Sequence, residues 1–538
     1  MNKLLKSIFV CAFLAVILIA CSKDSEDNQD AAEETNANDN DTTQTETSDD
    51  DLKDELNIAY SAQPATIDPH ITTAVATSDI MRGVYETLLA TDENYEVKPM
   101  LAESYEVSDD GKEITFKIRQ GVKFHNGKEM TVDDVVASME RWRTLSSRAT
   151  PFADAKFEAT DDQTVVFTLP EPISTTLPVL TGMLGSFAAI MPAEVIEAGD
   201  DSGVTEFIGT GPFQFDEWRQ DSYVKLSKFD DYQAVEEEAS GLAGKKEALV
   251  EEVYFHFVTD ASTRVAGVLS GEYDIVHATP YDQAETIENS DVAVNHSVPG
   301  STYIFLFNKE KEIFKDVRVR KAIRQGLDVA SIMHGTFGNE EYYTLNHNLV
   351  MPYLTNLYNT DVGKAELEEY DLEAAKQELE ELGVAGEEIS LVTTRDYDDQ
   401  YNASVVAQQQ LEQMGLKVNL EVYDWPTLLD LTEDPEGFDL NIMGWGPQPE
   451  PTSYGFLRPG YDSGWIEGNE FFELIDEFRR QPSLEETAEA YEAIVQWLTD
   501  EVPFIKLGDS NRIATVSNKV NNFQFQDGFI TWNISVSK

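Results

Sequence analysis

Cysteine is nearly absent: Cys11 and Cys21 are the only two in 538 residues. Two thiols so close to the N-terminus cannot build a disulfide framework or a thiolate metal site. Basic residues are scarce as well, 39 Lys and Arg against 100 Asp and Glu, for a formal charge of −61. That balance excludes nucleic acid as a natural partner, because a phosphate backbone needs a basic footprint. After the first twenty residues no apolar run approaches the roughly 20 needed to span a hydrocarbon core. HExxH and GxSxG are missing, and Gly241 to Lys246 is too short for a phosphate-binding loop and has no Ser or Thr after its lysine. Carboxylate pairs are abundant only because carboxylates are abundant, so they carry no weight toward acid–base chemistry. The chain is read as a non-enzyme without a cofactor or metal. No repeat of fixed period is found.

What is present begins with an export signal. Lys3 and Lys6 precede an unbroken apolar run over 8–20, which ends Leu18-Ile19-Ala20-Cys21 and turns polar at once. The run is too short for a permanent transmembrane helix, so residues 1–20 read as a signal peptide. The Leu-x-Ala-Cys ending resembles a bacterial lipobox, in which the cysteine thiol takes diacylglycerol. Cys21 is therefore the expected lipidation site. It would anchor the mature chain to the outer face of the cytoplasmic membrane, which is periplasmic if an outer membrane exists. From 21 to about 55 the chain is Asp, Glu, Asn, Thr, Ser and Gln with almost nothing apolar, a composition that cannot offset backbone ordering. It reads as a solvated acidic tether. Acids continue along the whole chain, so the net charge is taken as adaptation to salt or an alkaline exterior rather than as a clue to a cationic ligand.

Residues 56–538 exceed the ~250–300 that one hydrophobic core supports, so two or three domains are expected. A composition of 41% hydrophobic and 10% aromatic is that of a globular protein. Helical and strand patterns alternate, which points to α/β layers. Asp110-Gly111 introduces a strand over 113–119 with Ile114, Phe116 and Ile118 inward. Asn126-Gly127 turns, and Thr131 caps a helix bearing Val132, Val135, Val136, Met139 and Trp142. Strands are predicted over 164–169 and 253–258. After Pro299-Gly300 a strand is predicted over 302–308, followed by a helix with Val319, Ala322, Ile323 and Leu327 on one face. A helix over 403–414 ends at Gly415, and Val418, Leu420 and Val422 point inward from a strand over 417–423. Ser483 and Glu486 form a capping box for the last long helix, with Pro503 beyond it. A strand-rich end is expected from 512 to 536.

Several of these stretches resemble the family 5 extracellular solute-binding proteins, which include oligopeptide, dipeptide and nickel receptors. They are Ile67-Asp68-Pro69-His70, Leu101-Ala102-Glu103-Ser104-Tyr105, the run from Ile114 to Gly127, Thr131-Val132-Asp133-Asp134-Val135, Gly209-Thr210-Gly211-Pro212-Phe213, and Phe314 through Ile323. They follow the family's order over nearly the whole mature chain. Their residues read as scaffold, and His125 lacks a second histidine at ligand spacing. The resemblance implies a two-lobed periplasmic-binding-protein-like α/β fold of class II, cluster C type. One lobe would comprise 56–300 plus 507–538, with an extra subdomain at about 100–200, and the other 301–506. Two crossings between lobes make a hinge, and ligand favours closure. The implied function is capture of di- or oligopeptides by a monomeric lipoprotein that delivers them to an ABC permease. A nickel chelate, a sugar or an opine-like compound is the alternative, as is peptide sensing without import.

The same resemblance places ligand along Gly444-Trp445-Gly446-Pro447-Gln448-Pro449-Glu450, with Trp425 covering a side-chain pocket and Ala62 and Gln63 facing it from the other lobe. Extended peptides suit such a strand, whose main chain gives affinity for any sequence. Peptide-binding relatives place an aspartate shortly after the Gly-Trp pair for the ligand's ammonium. Here the segment is one residue short, so either Glu450 takes that role or the ligand lacks a free amine. Ile442 and Met443 stand where an arginine would precede Gly444, which leaves Arg395 or Arg458 to meet a ligand carboxylate.

Overall fold

Two long strands, Ala293–Phe307 and Phe504–Ser517, pair antiparallel along most of their length. They form the middle of an eleven-stranded sheet in a computed structural model that describes residues 51–538 except 184, 461–463 and 467. The signal segment and Cys21 lie outside the described residues. On one side of the pair follow Ile275–Thr279, Glu55–Tyr60, Glu252–Phe257, Tyr223–Lys228 and Phe213–Arg219; on the other follow Leu440–Trp445, Glu388–Thr394 and Lys417–Tyr423. Leu52 already bridges to Ser537, and the Lys53 amide donates to Val536 O at 2.7 Å, so the last residues of the expected tether belong to the folded part.

The halves of the two long strands feed different cores. Val298, Ala514 and Val516 join the cluster of Leu56, Ile58, Phe213, Leu226 and Phe255. Tyr303, Phe305, Phe307 and Leu507 join that of Ile323, Ile332, Leu391 and Leu411. A third cluster gathers Ile304 and Leu306 under the helices Glu470–Arg479 and Ala488–Glu501. A fourth surrounds Trp142 and lies on a separate four-stranded sheet of Ala102–Val107, Glu113–Ile118, Thr164–Thr168 and Lys156–Asp161. There the helix Val132–Leu145 begins as its sequence predicts: the Thr131 amide and hydroxyl donate to the Asp134 carboxylate at 2.9 and 2.8 Å. Arg141 from this helix reaches Asp68 in a buried bidentate pair at 3.1 and 2.6 Å, which gives the Ile67–His70 stretch its structural task. His125 Nδ1 accepts from the Gly209 amide at 3.2 Å and Nε2 meets Gly211 O at 3.0 Å, so the ring clamps the Gly209-Thr210-Gly211 turn.

Four local expectations need correction. The strand predicted over 302–308 starts at Ala293, because a register shift between Pro299 and Thr302 absorbs the proline and glycine without ending the ladder. Val422 is 41% exposed rather than inward, since Lys417–Tyr423 is the outermost strand on its side of the sheet. The Ser483–Glu486 box does not form: a 3-10 turn over Glu485–Thr487 leads into the helix, whose N-cap Thr487 makes no side-chain capping bond. The strand-rich end begins earlier, at Phe504, and beyond Ser517 only two two-residue strands follow.

Direction matters for what the sheet can build. Glu55–Tyr60 runs parallel to both Glu252–Phe257 and Ile275–Thr279, and Lys417–Tyr423 and Leu440–Trp445 both run parallel to Glu388–Thr394. Thr279 pairs with Ile513, and Trp445 pairs with Thr302. The carboxyl ends of both parallel sets therefore aim at the stretch 299–302 facing 509–512. At that point a Cβ on Gly300 would lie 2.5 Å from Ser510 Oγ and 2.8 Å from its carbonyl oxygen. Only glycine lets the strands approach so closely. Gly300→Ala should lower stability by about 1–3 kcal/mol, as overpacking does, while Gly446→Ala, with nothing within 4 Å of its Cβ, should be near neutral. Urea unfolding of both variants checks this, and equal midpoints would remove the steric argument.

Candidate functional site

Carboxyl ends of parallel strands are where open α/β sheets build binding sites. Leu440–Trp445 leaves the sheet there. Gly444 pairs with Tyr303, whose ring would lie 3.0–3.2 Å from a Cβ at 444, so the glycine makes room for the tyrosine. The Tyr303 hydroxyl in turn donates to Asp399. Trp445 packs edge-on against Phe456, with centroids 5.9 Å apart, and over Gly455; its buried Nε1 has no hydrogen-bond partner among the described residues. Gly446, Pro447 and Gln448 then run along the wall of a cavity of about 610 Å³, within the range of small-molecule sites.

Two groups of segments enclose that cavity. Thr73, Val75, residues 147–151 and Gly185 form one wall; Gly446 to Gln448, Thr452, Ser453, Arg458 and Arg479 form the other. Arg148 spans the gap, donating Nε to Gly185 O at 2.6 Å and Nη1 to Gln448 Oε1 at 3.5 Å. Arg479 donates to Thr452 Oγ1 at 3.0 Å and Thr452 O at 2.9 Å. Glu450 is buried and already committed: its carboxylate accepts from the Thr452 amide and hydroxyl at 2.6 and 2.7 Å and from the Ser453 hydroxyl. It caps its own 3-10 turn.

Of the expected residues, the cavity thus unites Gly446, Gln448 and Arg458 and has Trp445 at its approach. Trp425 and Arg395 lie at the carboxyl ends of neighbouring strands but outside the lining. The Trp425 amide donates to Asp396 Oδ2 at 2.7 Å and its ring meets exposed Tyr397 at 4.9 Å. The Arg395 guanidinium sits 4.3 Å over the Tyr401 ring and donates to its hydroxyl. Gln63 turns away to accept from the Asp221 amide at 2.6 Å and Trp218 Nε1 at 3.4 Å, and Ala62 is exposed. Arg148 and Arg479 were missed by sequence reasoning. Neither lies in a quoted motif, and only the scarcity of basic residues could have drawn notice to them. Among the described residues no group of three or more His, Cys, Asp or Glu is placed to hold a metal ion.

Beside the cavity lies a buried charge cluster. Arg82 donates Nη1 to Asp527 O at 2.9 Å and Nε to Gly182 O at 3.2 Å, and Tyr60 donates to Asp79 Oδ2 at 2.8 Å. Tyr353 stacks on Tyr95 at 4.6 Å. Burial pushes the Asp527 carboxyl up to about 6 despite the opposing pull of Arg82, the Tyr353 hydroxyl and Arg148. Burial raises Asp79 to about 6 as well, against Arg82. Burial also draws the Arg148 guanidinium down to about 10, which leaves it charged at neutral pH.

The mixed α/β architecture matches that of solved periplasmic binding proteins. A family model described as bacterial extracellular solute-binding proteins, family 5 Middle, matches residues 96–467, and the chain belongs to this family. It is 27% identical over 515 residues to the oligopeptide-binding protein AppA of Bacillus subtilis, covering 89% of this chain and 90% of that one. Among solved structures, AgaA from A. tumefacien R10 with agropinic acid matches at a TM-score of 0.70 and 25% identity, over 90% of this chain and 99% of that one. The ABC transporter-associated periplasmic binding protein DppA from Helicobacter pylori, with the peptide STSA, matches at a TM-score of 0.72 and 23% identity over the same shares. Among the described residues no helix is long and apolar enough to cross a membrane.

The raised Asp527 carboxyl has a definite consequence for stability. Its folded value near 6 lies above the ordinary unfolded value of about 3.9. The native state therefore holds a proton that the unfolded chain releases, and stability falls as pH rises through that window. At about 1.4 kcal/mol per unit the ceiling is roughly 3 kcal/mol. Asp527→Asn, which keeps a residue type tolerant of the positive φ of 52°, should raise the melting temperature at pH 8 and have little effect at pH 4. An equal gain at both values would show that ionisation is not the cause.

Proposed function

We propose that this chain captures a di- or oligopeptide between two lobes, 56–300 plus 507–538 and 301–506, and passes it to a membrane ABC permease. The observation that carries the reading is the cavity of about 610 Å³ whose walls come from residues 73–185 on one side and 446–479 on the other. One wall begins at the carboxyl end of the strand Leu440–Trp445. Two strands, Ala293–Phe307 and Phe504–Ser517, link the two sides. Narrow links of this kind act as hinges, and a guest that touches both walls favours closure. The strand end at Gly444 and Trp445 offers main chain to an extended ligand. Cys21 carries the lipid, the acidic segment holds the receptor off the membrane, and the protein works as a monomer without a catalytic step.

A second reading, the same architecture with a non-peptide solute, is favoured by Glu450. Its carboxylate is taken up by Thr452 and Ser453 and so is poorly placed to meet a ligand ammonium. Mass spectrometry of small molecules released by denaturing the purified protein separates the two. The expected result is a peptide that, added back, raises the melting temperature and reduces the radius of gyration in solution scattering. A released non-peptide with the same effects would establish the second reading. If neither the released material nor peptides of two to nine residues changes either quantity, capture itself is refuted.

A further inference from the structure

We propose that the cavity selects solutes of net negative charge, bearing at least two carboxylates, through Arg148, Arg458 and Arg479. This rests on the capture reading above and goes beyond it by fixing the charge class of the solute. The first observation is composition. Acids outnumber bases more than two to one in the chain, yet the described residues that line the cavity include these three arginines and no Asp or Glu.

The second observation is pairing. Of the twelve arginines outside the cavity, six pair with a carboxylate among the described residues, as Arg141 does with Asp68 and Arg318 with Asp316, both at 2.6 Å. None of the three cavity arginines has a carboxylate within ion-pair distance among the described residues. Arg148 bonds a carbonyl and an amide oxygen, Arg479 bonds Thr452, and the exposed Arg458 makes no side-chain hydrogen bond to a described residue. Two acids act on Arg148 from further off, Glu450 and Asp527. Glu450 accepts from Thr452 and Ser453 and Asp527 is buried, and both lie outside the lining at more than ion-pair distance from Arg148. A guanidinium such as Arg148, desolvated and offset only by acids beyond ion-pair distance, gains from an anion that enters the cavity.

The third observation is placement. Arg148 belongs to one wall, and Arg458 and Arg479 belong to the other. Planar guanidinium forks match carboxylates in two-bond geometry, so a solute with two acidic groups joins the walls where a neutral one does not. Charge recognition and closure then become one event.

The test is calorimetric titration with the tripeptides Ala-Glu-Glu, Ala-Gln-Gln and Ala-Lys-Lys, at low and raised salt. Ala-Glu-Glu should bind at least tenfold more tightly than its amide counterpart, Ala-Lys-Lys should bind least, and salt should narrow the gap. In Arg458→Gln, a change at an exposed side chain that makes no side-chain hydrogen bond to a described residue, the Glu-over-Gln preference should shrink severalfold, with Ala-Glu-Glu losing more affinity than Ala-Gln-Gln. Arg148→Gln should act in the same direction. Equal or better binding of Ala-Gln-Gln, or an unchanged preference in Arg458→Gln, overturns the inference. A neutral or cationic compound released from the denatured protein also overturns it while leaving capture intact. If no tripeptide and no released compound binds, capture fails and this inference fails with it.

Discussion

Everything else in the molecule hangs on the antiparallel pairing of Ala293–Phe307 with Phe504–Ser517, and on the buried carboxylate of Asp509 that fixes it. Thr302 Oγ1 donates to Asp509 Oδ1 at 2.6 Å, while Asn346 Nδ2 and Lys506 Nζ reach Oδ2 at 2.8 and 3.0 Å. A buried ion pair repays its desolvation only when its remaining hydrogen-bonding capacity is filled. Here Lys506 also donates to Asn348 O at 2.6 Å, so the pair is embedded in a network rather than isolated. The network sits just beyond the close approach at Gly300 and Ser510. It fixes the register of the two strands on that side of the close approach.

That constraint explains why ligand-sized space forms where it does. A crossing of only two strands cannot be covered by a continuous core. The cavity opens between the segment that follows Leu440–Trp445 and walls drawn from residues 73–185. Trp445 arrives there because Leu440–Trp445 pairs with the half of Ala293–Phe307 beyond the shift, and Arg148 arrives because the Asp68–Arg141 pair anchors the helix preceding it. Neither residue is held by sequence neighbours alone. The cavity is a product of topology, and its walls come from segments that the chain order keeps hundreds of residues apart.

The same reasoning accounts for what could be read from the sequence. Local signals with a local cause were legible: Thr131 and Asp134 at a helix start, the alternation of Ile114, Phe116 and Ile118, and the helical stripe of Val319, Ala322 and Ile323. Family resemblance supplied the order of landmarks, and many of these proved to be joints, such as Asp68 with Arg141 and His125 with the Gly209–Gly211 turn. Pro299-Gly300 misled because a bulge can carry a strand through residues that usually end one. Val422 misled because alternation states which residues share a face and not whether a sheet edge is covered. Of the site, the Gly444–Gln448 stretch was legible because it is continuous. Arg148 and Arg479 were not, since a cavity wall assembled from distant segments leaves no local pattern.

Overall acidity and a basic cavity are compatible because the two act over different distances. At physiological ionic strength charges are screened beyond about 8 Å, so the surface acids of a protein with net charge −61 impose little field inside a cleft. Within the cavity the balance reverses. A guanidinium and a carboxylate at 4 Å interact by roughly 4 kcal/mol before desolvation, at the effective dielectric of a partly buried site. Three such cations on facing walls outweigh a distant acidic surface for any anion already inside. The surface charge governs solubility. Which solute stays is decided by the few side chains that line the cavity, and there the chain's excess of acid is absent.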